Sequence, residues 1–264
     1  MARVHTVLAP RLELDGRAAT LEDIWSLDRS GVGHFTAMQV RDRTTRGLAF
    51  HLARLEAATR ELFGVGLDGE RVRAFIRHAL ADDVADATVR VNVFRPDGAG
   101  VSLMVSVRAP APPPKQGLRL QSVAYRRPSP HIKHASGFGQ GYFAGPASGN
   151  GFDEALFVGP DGLLSECSIT NIAFVDGDAV VWPDAPALRG IMMQVLQREL
   201  DLAGVPWRYS PVPLADVGVF DGAFVTNAHG SATVGGIDDV RVPTGAPLMR
   251  TVAALLAAAP ADPI

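Results

Sequence analysis

The chain contains little cysteine and has no long apolar or basic run. Its 264 residues include a single cysteine, Cys167, which cannot form an internal disulfide and therefore favours a reducing compartment. The net charge is −3 without a basic cluster, so neither a nucleic-acid partner nor a membrane surface is expected. The longest apolar stretch, 251–259, is too short to span a bilayer, and the N-terminus lacks a signal-peptide core. The expected location is the cytoplasm.

Lysine is also scarce. Only Lys115 and Lys133 are lysines among the 25 basic residues, and all the others are arginines. Arginine stays charged and offers no nucleophilic nitrogen, whereas a lysine amine can lose its proton and form a Schiff base. Lys133 lies in S-P-H-I-K-H-A-S-G-F-G-Q, and the glycines that follow it allow close approach of the backbone to a ligand, or a flexible loop. Lys133 is therefore the candidate reactive residue.

The sequence predicts two domains joined by a Pro-rich linker. Residues 109–117 (A-P-A-P-P-P-K-Q-G) favour an extended spacer. Residues 1–108 are expected to form a small α/β domain and residues 118–264 a larger β-rich domain that carries the lysine. Helical spacing predicts helices, and alternation predicts strands. Before the linker these are helices at 50–63 and 69–81 and strands at 88–94 and 101–107.

The predicted elements after the linker are mostly strands. Residues 171–175 and 179–182 flank D-G-D and predict a hairpin. Gly204 is the expected end of a helix over 188–202. The other predicted elements are strands at 155–158, 163–165 and 222–226, and a terminal helix at 248–258.

The segment 151–171 (G-F-D-E-A-L-F-V-G-P-D-G-L-L-S-E-C-S-I-T-N) resembles the signature of class IV aminotransferases. That resemblance implies a fold-type IV enzyme, an α/β (α+β) protein with pyridoxal 5′-phosphate (PLP) in the cleft between two domains. It also implies that Lys133 holds PLP as an internal aldimine, that Glu166 contacts the pyridine nitrogen and that Asn171 contributes to the cofactor site. An ionised carboxylate there keeps the ring an electron sink, and the released amine can move protons.

Further segments are similar to the phosphate-binding parts of the same family. Arg54, in F-H-L-A-R-L-E, matches an H-x-x-R-L motif, and a guanidinium can donate two hydrogen bonds to a phosphate. In L-R-G-I-M the backbone of Ile191 and Met192 matches a helix start, which favours anions. The resemblance adds Asn227 and Ala228 from D-G-A-F-V-T-N-A-H. The matching segments run from about residue 30 to residue 240 in the family's order.

Three positions depart from the family pattern. Phe138 replaces a tyrosine that follows the cofactor lysine, while Met192 and Ala228 stand where threonines often contact the phosphate. In addition, Phe35-Thr36 stands where transaminases more often have Phe-Glu. Three functions stay open: transamination of an amino acid to a 2-oxo acid, a lyase similar to aminodeoxychorismate lyase, and a relative that has lost the chemistry.

The remaining expectations concern ligands and assembly. Arg90, Arg126 and Arg127 are candidates for binding a substrate carboxylate, and the spacing does not choose among them. His131 and His134 lack a clustered third ligand, so no metal site is predicted. The glycines near Lys133 do not form a nucleotide-binding motif. The family resemblance implies small amino-acid and oxo-acid partners and a homodimer.

Overall fold

The computed structural model describes residues 9–96 and 100–264, so the first residues of the expected small domain lie outside the described residues. The chain divides into two compact units of mixed helix and sheet. The first unit runs to Pro112 and takes in two later segments, Lys133–Ser136 and Ala261–Ile264. The boundary between the two units, at 112–113, falls within the Pro-rich segment. The segment that carries Lys133 belongs with the first unit, whereas the sequence pattern placed this lysine in the later domain.

The elements before Pro112 alternate between strands and helices. In chain order they are β1 (Arg11–Leu14), β2 (Arg17–Ala18), α1 (Leu21–Arg29), β3 (Gly33–Val40), β4 (Thr44–Arg46), α2 (Leu48–Phe63), α3 (Gly69–Leu80), β5 (Ala87–Phe94) and β6 (Ser102–Arg108).

The first unit is built on an antiparallel sheet with the order β2-β1-β6-β5-β3 among the described residues. Its alternating valines, such as Val91, are fully buried with Leu55 of α2 and Ile76 of α3 in one core cluster. The helix α2 ends at Gly64, which adopts the left-handed conformation with φ 70° that a helix C-terminus favours. Asp68 caps the N-terminus of α3, because its side chain accepts a hydrogen bond from the Glu70 N–H. The two helices and two strands predicted in this part are confirmed, with ends shifted by one or two residues.

The elements after Pro112 are mainly strands. In chain order they are β7 (Leu118–Ala124), α4 (Phe138–Gly149), β8 (Glu154–Val158), β9 (Leu164–Cys167), β10 (Asn171–Asp176), β11 (Ala179–Pro183), α5 (Ile191–Ala203), β12 (Trp207–Ser210), a 3₁₀ helix (Leu214–Val219), β13 (Gly222–Asn227), β14 (Gly230–Ile237), β15 (Val240–Arg241), α6 (Pro247–Ala258) and β16 (Ala261–Pro263).

The second unit, Pro113–Ile132 and Gly137–Pro260, contains a mixed sheet with the order β12-β11-β10-β13-β14-β7-β8-β9, and β15 joins β14. The predicted hairpin is confirmed, because β10 and β11 pair antiparallel through Phe174 and Val181. One face of the sheet forms a core cluster that includes Leu156 and Val225. No helix in the described ranges is both long and apolar enough to cross a bilayer.

The glycine-rich segment after Lys133 forms the helix α4, which the sequence pattern did not predict. Phe143 and Ala147 lie on the face that packs on β7 and β8, and the ring centroids of Tyr125 and Phe143 are 5.1 Å apart. A Cβ at Gly139 would lie 2.0 Å from the Tyr125 hydroxyl oxygen. This glycine therefore allows close packing of the helix on Tyr125, because a larger residue would clash there.

Candidate functional site

The backbone of Lys133 is paired with β3. The Phe35 N–H donates to the Lys133 carbonyl at 2.8 Å, and the Ala135 N–H donates to the Gly33 carbonyl at 2.7 Å. These bonds form an antiparallel bridge between His34 and His134. The Lys133 side chain is half-buried, and its Nζ lies 4.9 Å from the centroid of the Phe35 ring. Residues distant in sequence thus fix the backbone position of Lys133.

Arg54 shares a buried hydrogen-bond network with β3. The Arg54 Nη2 donates to Thr36 Oγ1, and Thr36 Oγ1 lies 2.6 Å from His51 Nδ1. His51 and Arg54 face the same way on α2 because residues three apart are neighbours on a helix surface. Burial lowers the pKa of His51 well below its ordinary value, and the positive charges of Arg54 and Lys133 lower it further. His51 is therefore neutral at physiological pH.

A second buried histidine lies near Arg54. The His34 Nε2 lies 3.0 Å from Thr59 Oγ1, and the Thr59 hydroxyl donates its proton to the Leu55 carbonyl at 2.7 Å. The His34 Nε2 is therefore the donor in its own bond to Thr59. Burial, and to a lesser degree the charge of Arg54, lowers the pKa of His34 to about 4. The positive charge at this site consequently comes from Arg54 and Lys133 rather than from the histidines.

Arg90 lies over the same aromatic ring as Lys133. Its guanidinium carbon is 3.6 Å from the centroid of Phe35, and its Nε donates to Asn92 Oδ1 at 3.0 Å. Burial, followed by repulsion from Arg108, lowers the pKa of Arg90. We call Phe35, Thr36, His51, Arg54, Arg90 and Lys133 the lysine cluster.

Glu166 lies on β9 in the second unit and is buried beside a cation. The Arg127 Nε is 3.5 Å from Glu166 Oε1, and each side chain is 5% exposed. The Nη2 of Arg127 also donates to the carbonyls of Pro130 and Ile132. Burial lowers the pKa of Arg127, and the charge of Glu166 opposes that change. A buried charge requires a partner, and these two residues partner each other, so Arg127 is not available as a surface cation.

Glu154 holds the turn between Glu166 and Asn171. Its carboxylate accepts hydrogen bonds from Ser168 Oγ at 3.2 Å, from the Ile169 N–H at 2.6 Å and from the Thr170 N–H and Oγ1 at 3.0 and 2.9 Å. Burial raises the pKa of Glu154, and these hydrogen bonds oppose the rise. In the sequence this glutamate stands out only as part of a strand motif. Its role depends on the turn at 168–170, which lies further along the chain between β9 and β10.

Asn171 fixes the backbone that leads into α5. Its Nδ2 donates to the Leu188 carbonyl at 2.7 Å, and a Cβ at Gly190 would lie 2.0 Å from Asn171 Oδ1. Gly190 is extended, with φ −63° and ψ 147°, so the helix begins at Ile191. The prediction that the helix starts at Leu188 is wrong for this reason.

The N-terminus of α5 presents backbone donors. The helix has a glycine at its N-cap position, no side-chain cap and no acidic residue in its first turn. The first N–H groups of a helix lack partners within the helix and attract anions. Ile191 and Met192, whose backbones were predicted to contact phosphate, occupy this first turn, and both side chains are buried.

Asn227 and Ala228 lie at the tip of the β13–β14 hairpin. The His229 N–H donates to Asn227 Oδ1 at 2.8 Å. The preceding residue, Thr226, pairs with Asn171 across β13 and β10. Its hydroxyl is buried and has no hydrogen-bond partner within the described part of the chain. The sequence resemblance does not single out Thr226, whose buried hydroxyl stands two residues before Ala228 in the chain.

Phe138 begins α4 and is 78% exposed, and its ring stacks on that of Tyr142 with centroids 5.7 Å apart.

The second unit also contains a cavity of about 340 Å³. Asn171, Leu188 and Arg189 line this cavity, together with Trp182 and Tyr209. Among the predicted site residues, Arg54, Arg90 and Lys133 belong to the first unit, and the remaining ones belong to the second.

The polar groups in each unit suit the phosphate and the pyridine nitrogen of PLP, as the sequence motifs predict. A guanidinium and an uncapped helix N-terminus are both suited to a phosphate, and a buried carboxylate is suited to a pyridinium nitrogen. Gly190 supports this fit, because a side chain there would collide with Asn171 and displace the turn before α5.

Comparisons with known proteins agree with these features. A sequence model of the amino-transferase class IV family matches residues 33–234, and the chain belongs to this family. PLP is the cofactor of that family. The fold is that of fold-type IV enzymes. No curated protein matches the chain.

Three solved structures illustrate the shared fold. A hypothetical aminotransferase from Mycobacterium tuberculosis in its PLP-bound form is 21% identical, with a TM-score of 0.77 over 89% of this chain and 90% of that one. A putative 4-amino-4-deoxychorismate lyase from Legionella pneumophila is 18% identical, with a TM-score of 0.78 over 85% and 90%. A branched-chain aminotransferase from Thermoproteus uzoniensis, solved with norvaline, is 21% identical, with a TM-score of 0.80 over 94% and 93%. At these identities the similarity shows the fold alone.

Proposed function

We propose that the chain is a PLP-dependent aminotransferase that transfers an amino group from an amino acid to a 2-oxo acid, with Lys133 as the cofactor-binding residue. The observation that carries this proposal is the environment of Lys133. Its backbone is bonded to β3, and its amine shares the Phe35 ring with Arg90. The other lysine, Lys115, is exposed and pairs with Asp153 at 2.9 Å, so it is a surface residue.

Each site residue has a distinct role in the proposed reaction. When bound, PLP supplies an electron sink for the carbanion that forms at the substrate Cα. Lys133 Nζ carries the proton that leaves this carbon. Glu166 holds a proton at the pyridine nitrogen, and Asn171 positions the turn before α5. Three parts of the chain bind the phosphate: Arg54, the first turn of α5 at Ile191 and Met192, and the hairpin tip at Asn227 and Ala228.

Arg90 is proposed to bind the substrate carboxylate. Of the three arginines with this expected role, Arg126 pairs at the surface with Asp161 at 3.0 Å and Arg127 pairs with Glu166. In the described part of the chain no carboxylate pairs with Arg90, and its only hydrogen bond there uses Nε. Its two terminal nitrogens therefore suit a bidentate bond to a carboxylate.

A lyase similar to aminodeoxychorismate lyase is the second candidate. It is favoured by Thr36, a fully buried hydroxyl residue at a position where transaminases more often have a glutamate. A relative without activity is the third candidate, and the half-buried Lys133, whose backbone is bonded to β3, argues against it. Two assays separate the three candidates. Release of 2-oxo acids in half-reactions with a panel of amino acids indicates a transaminase, and release of pyruvate from aminodeoxychorismate indicates a lyase. No product in either assay indicates loss of chemistry.

We infer a homodimer from the family and a reducing, cytoplasmic setting from the single cysteine, which is buried. Size-exclusion chromatography with light scattering tests the first inference, and a monomer with full activity would contradict it. Localisation of the tagged full-length chain tests the second.

Borohydride reduction of the PLP-loaded protein, followed by peptide mapping, tests the proposed function. We expect the label on Lys133. The variant Lys133→Arg keeps the charge but removes the amine chemistry, so it should lose both the visible absorbance band of the bound cofactor and turnover. The matched control Lys115→Arg should keep both. A label on Lys115, or no label, would refute the assignment, because the chain has no third lysine.

A further inference from the structure

The Thr36 hydroxyl connects Arg54 to a buried neutral histidine. Thr36 Oγ1 accepts a hydrogen bond from the Arg54 Nη2 and lies 2.6 Å from His51 Nδ1. A hydroxyl has one proton and two lone pairs. No other acceptor for the Thr36 proton occurs among the described residues, so the proton goes to His51 Nδ1. The bond to His51 therefore fixes the rotation of the hydroxyl and leaves a lone pair for Arg54.

The network is rigid because it is buried. Thr36 is fully buried and His51 is 2% exposed, and the two residues are anchored on β3 and α2 respectively. His51 is neutral, so Thr36 and His51 orient the guanidinium without neutralising its charge. A carboxylate at position 36 would pair with Arg54 and compete with an anionic ligand. A hydroxyl carries no charge and does not compete in this way.

We propose that Thr36, with its hydroxyl oriented by His51, is a positioning residue that aims the Arg54 guanidinium at the phosphate of PLP. This inference rests on the proposed function, in which Arg54 binds that phosphate. It predicts an effect on phosphate recognition that passes through Arg54 and spares the rest of the cofactor.

The test measures binding of PLP, pyridoxal and inorganic phosphate to the full-length cofactor-free protein by fluorescence titration. The variant Thr36→Val keeps the shape and removes the hydroxyl, and we expect roughly tenfold weaker PLP binding, the effect of one hydrogen bond to a charged group. Thr36→Ser, which keeps the hydroxyl, should restore most of the affinity. Pyridoxal has no phosphate, and its affinity should not change. If the valine variant does not fold, Thr36→Ala removes the same hydroxyl and replaces it in the series.

A double-mutant cycle with Arg54→Ala shows whether the effect passes through Arg54. In the Arg54→Ala background, Thr36→Val should weaken PLP binding no further. Additive losses, an equal loss for pyridoxal, or unchanged PLP affinity in Thr36→Val would each overturn the inference. If Arg54→Ala itself leaves PLP affinity unchanged, the proposed role of Arg54 fails first. Melting temperatures of the cofactor-free variants separate a general loss of stability from a loss of phosphate recognition.

Discussion

The candidate site residues of the two units differ in how they present polar groups. In the first unit the lysine cluster includes three long cationic side chains: Arg90 on a strand, Arg54 on a helix and Lys133 on a short paired segment. In the second unit buried side chains fix the backbone by hydrogen bonds: Glu154 holds the turn after β9, and Asn171 holds the turn before α5. The first arrangement presents charge directly, and the second presents N–H groups whose directions depend on buried polar side chains.

This difference implies different sensitivities to mutation. Changes to the three cations of the lysine cluster should alter ligand binding while leaving the fold nearly intact, because partly exposed charged ends contribute little to stability. Changes to Glu154, Asn171 or Gly190 should affect binding and stability together, since each removes or displaces a buried contact that the fold needs. Three substitutions in the second unit and one pH change at His34 in the first unit compare the two units.

Glu166→Gln should give the largest change. The amide keeps the size of the side chain but cannot hold a proton at the pyridine nitrogen, so we expect PLP to stay bound and proton removal from the substrate to slow a hundredfold or more, as for the loss of one electrostatic catalytic group. Single-turnover absorbance kinetics measure this rate. Wild-type rates in the variant would show that another group serves the ring nitrogen.

Gly190→Ala should reduce both binding and stability. The new Cβ would lie 2.0 Å from Asn171 Oδ1, so the bond from Asn171 to the Leu188 carbonyl should break and cost about 1–3 kcal/mol. PLP affinity should fall roughly tenfold as the first turn of α5 shifts, since that loss is about 1.4 kcal/mol. Urea unfolding and PLP titration measure the two effects. The control Gly245→Ala, where a Cβ meets nothing within 4 Å, should change neither.

His34 should make stability depend on pH. Its pKa is about 4 in the folded protein and about 6.5 in an unfolded chain. Its stabilising contribution is fully present above pH 6.5 and is lost as the pH falls towards 4, by about 3 kcal/mol at 1.36 kcal/mol per pKa unit. Urea unfolding between pH 7.5 and 4 measures this loss, which should be smaller in His34→Gln. Equal losses in both proteins would contradict the prediction.

Thr226→Val should give the smallest change and in the opposite direction. Valine replaces a buried hydroxyl that has no partner in the described ranges, so the cofactor-free protein should gain about 1 kcal/mol. The matched change Thr170→Val should destabilise the protein, because the Thr170 hydroxyl donates to Glu154 at 2.9 Å. Melting temperatures compare the two, and destabilisation by both variants would show that Thr226 has a partner.

The sequence identifies those parts of the site whose chemistry depends on residue type and local spacing. Arg54 stands in a recognisable motif, and Lys133 is conspicuous as one of two lysines, so short stretches of sequence are enough to point to both. The role of His51 was not predicted, because it depends on its contact with Thr36 of β3. The contact of Glu154 with the following turn and the pairing of Thr226 with Asn171 involve other strands, and no local pattern encodes such contacts. The helix α4 was not predicted because its glycines, which usually mark loops, are needed for packing against Tyr125.

The pairing of the Lys133 segment with β3 has a consequence for how the chain folds. The strand β3 is the last strand of its sheet, and its outer edge receives Lys133–Ser136 from a point about a hundred residues later in the sequence, a contact of high sequence separation that forms slowly. During synthesis that edge therefore stays open until residue 136 has left the ribosome. An open strand edge is a site for pairing with another chain, so a nascent or truncated chain that ends before residue 133 should aggregate through β3.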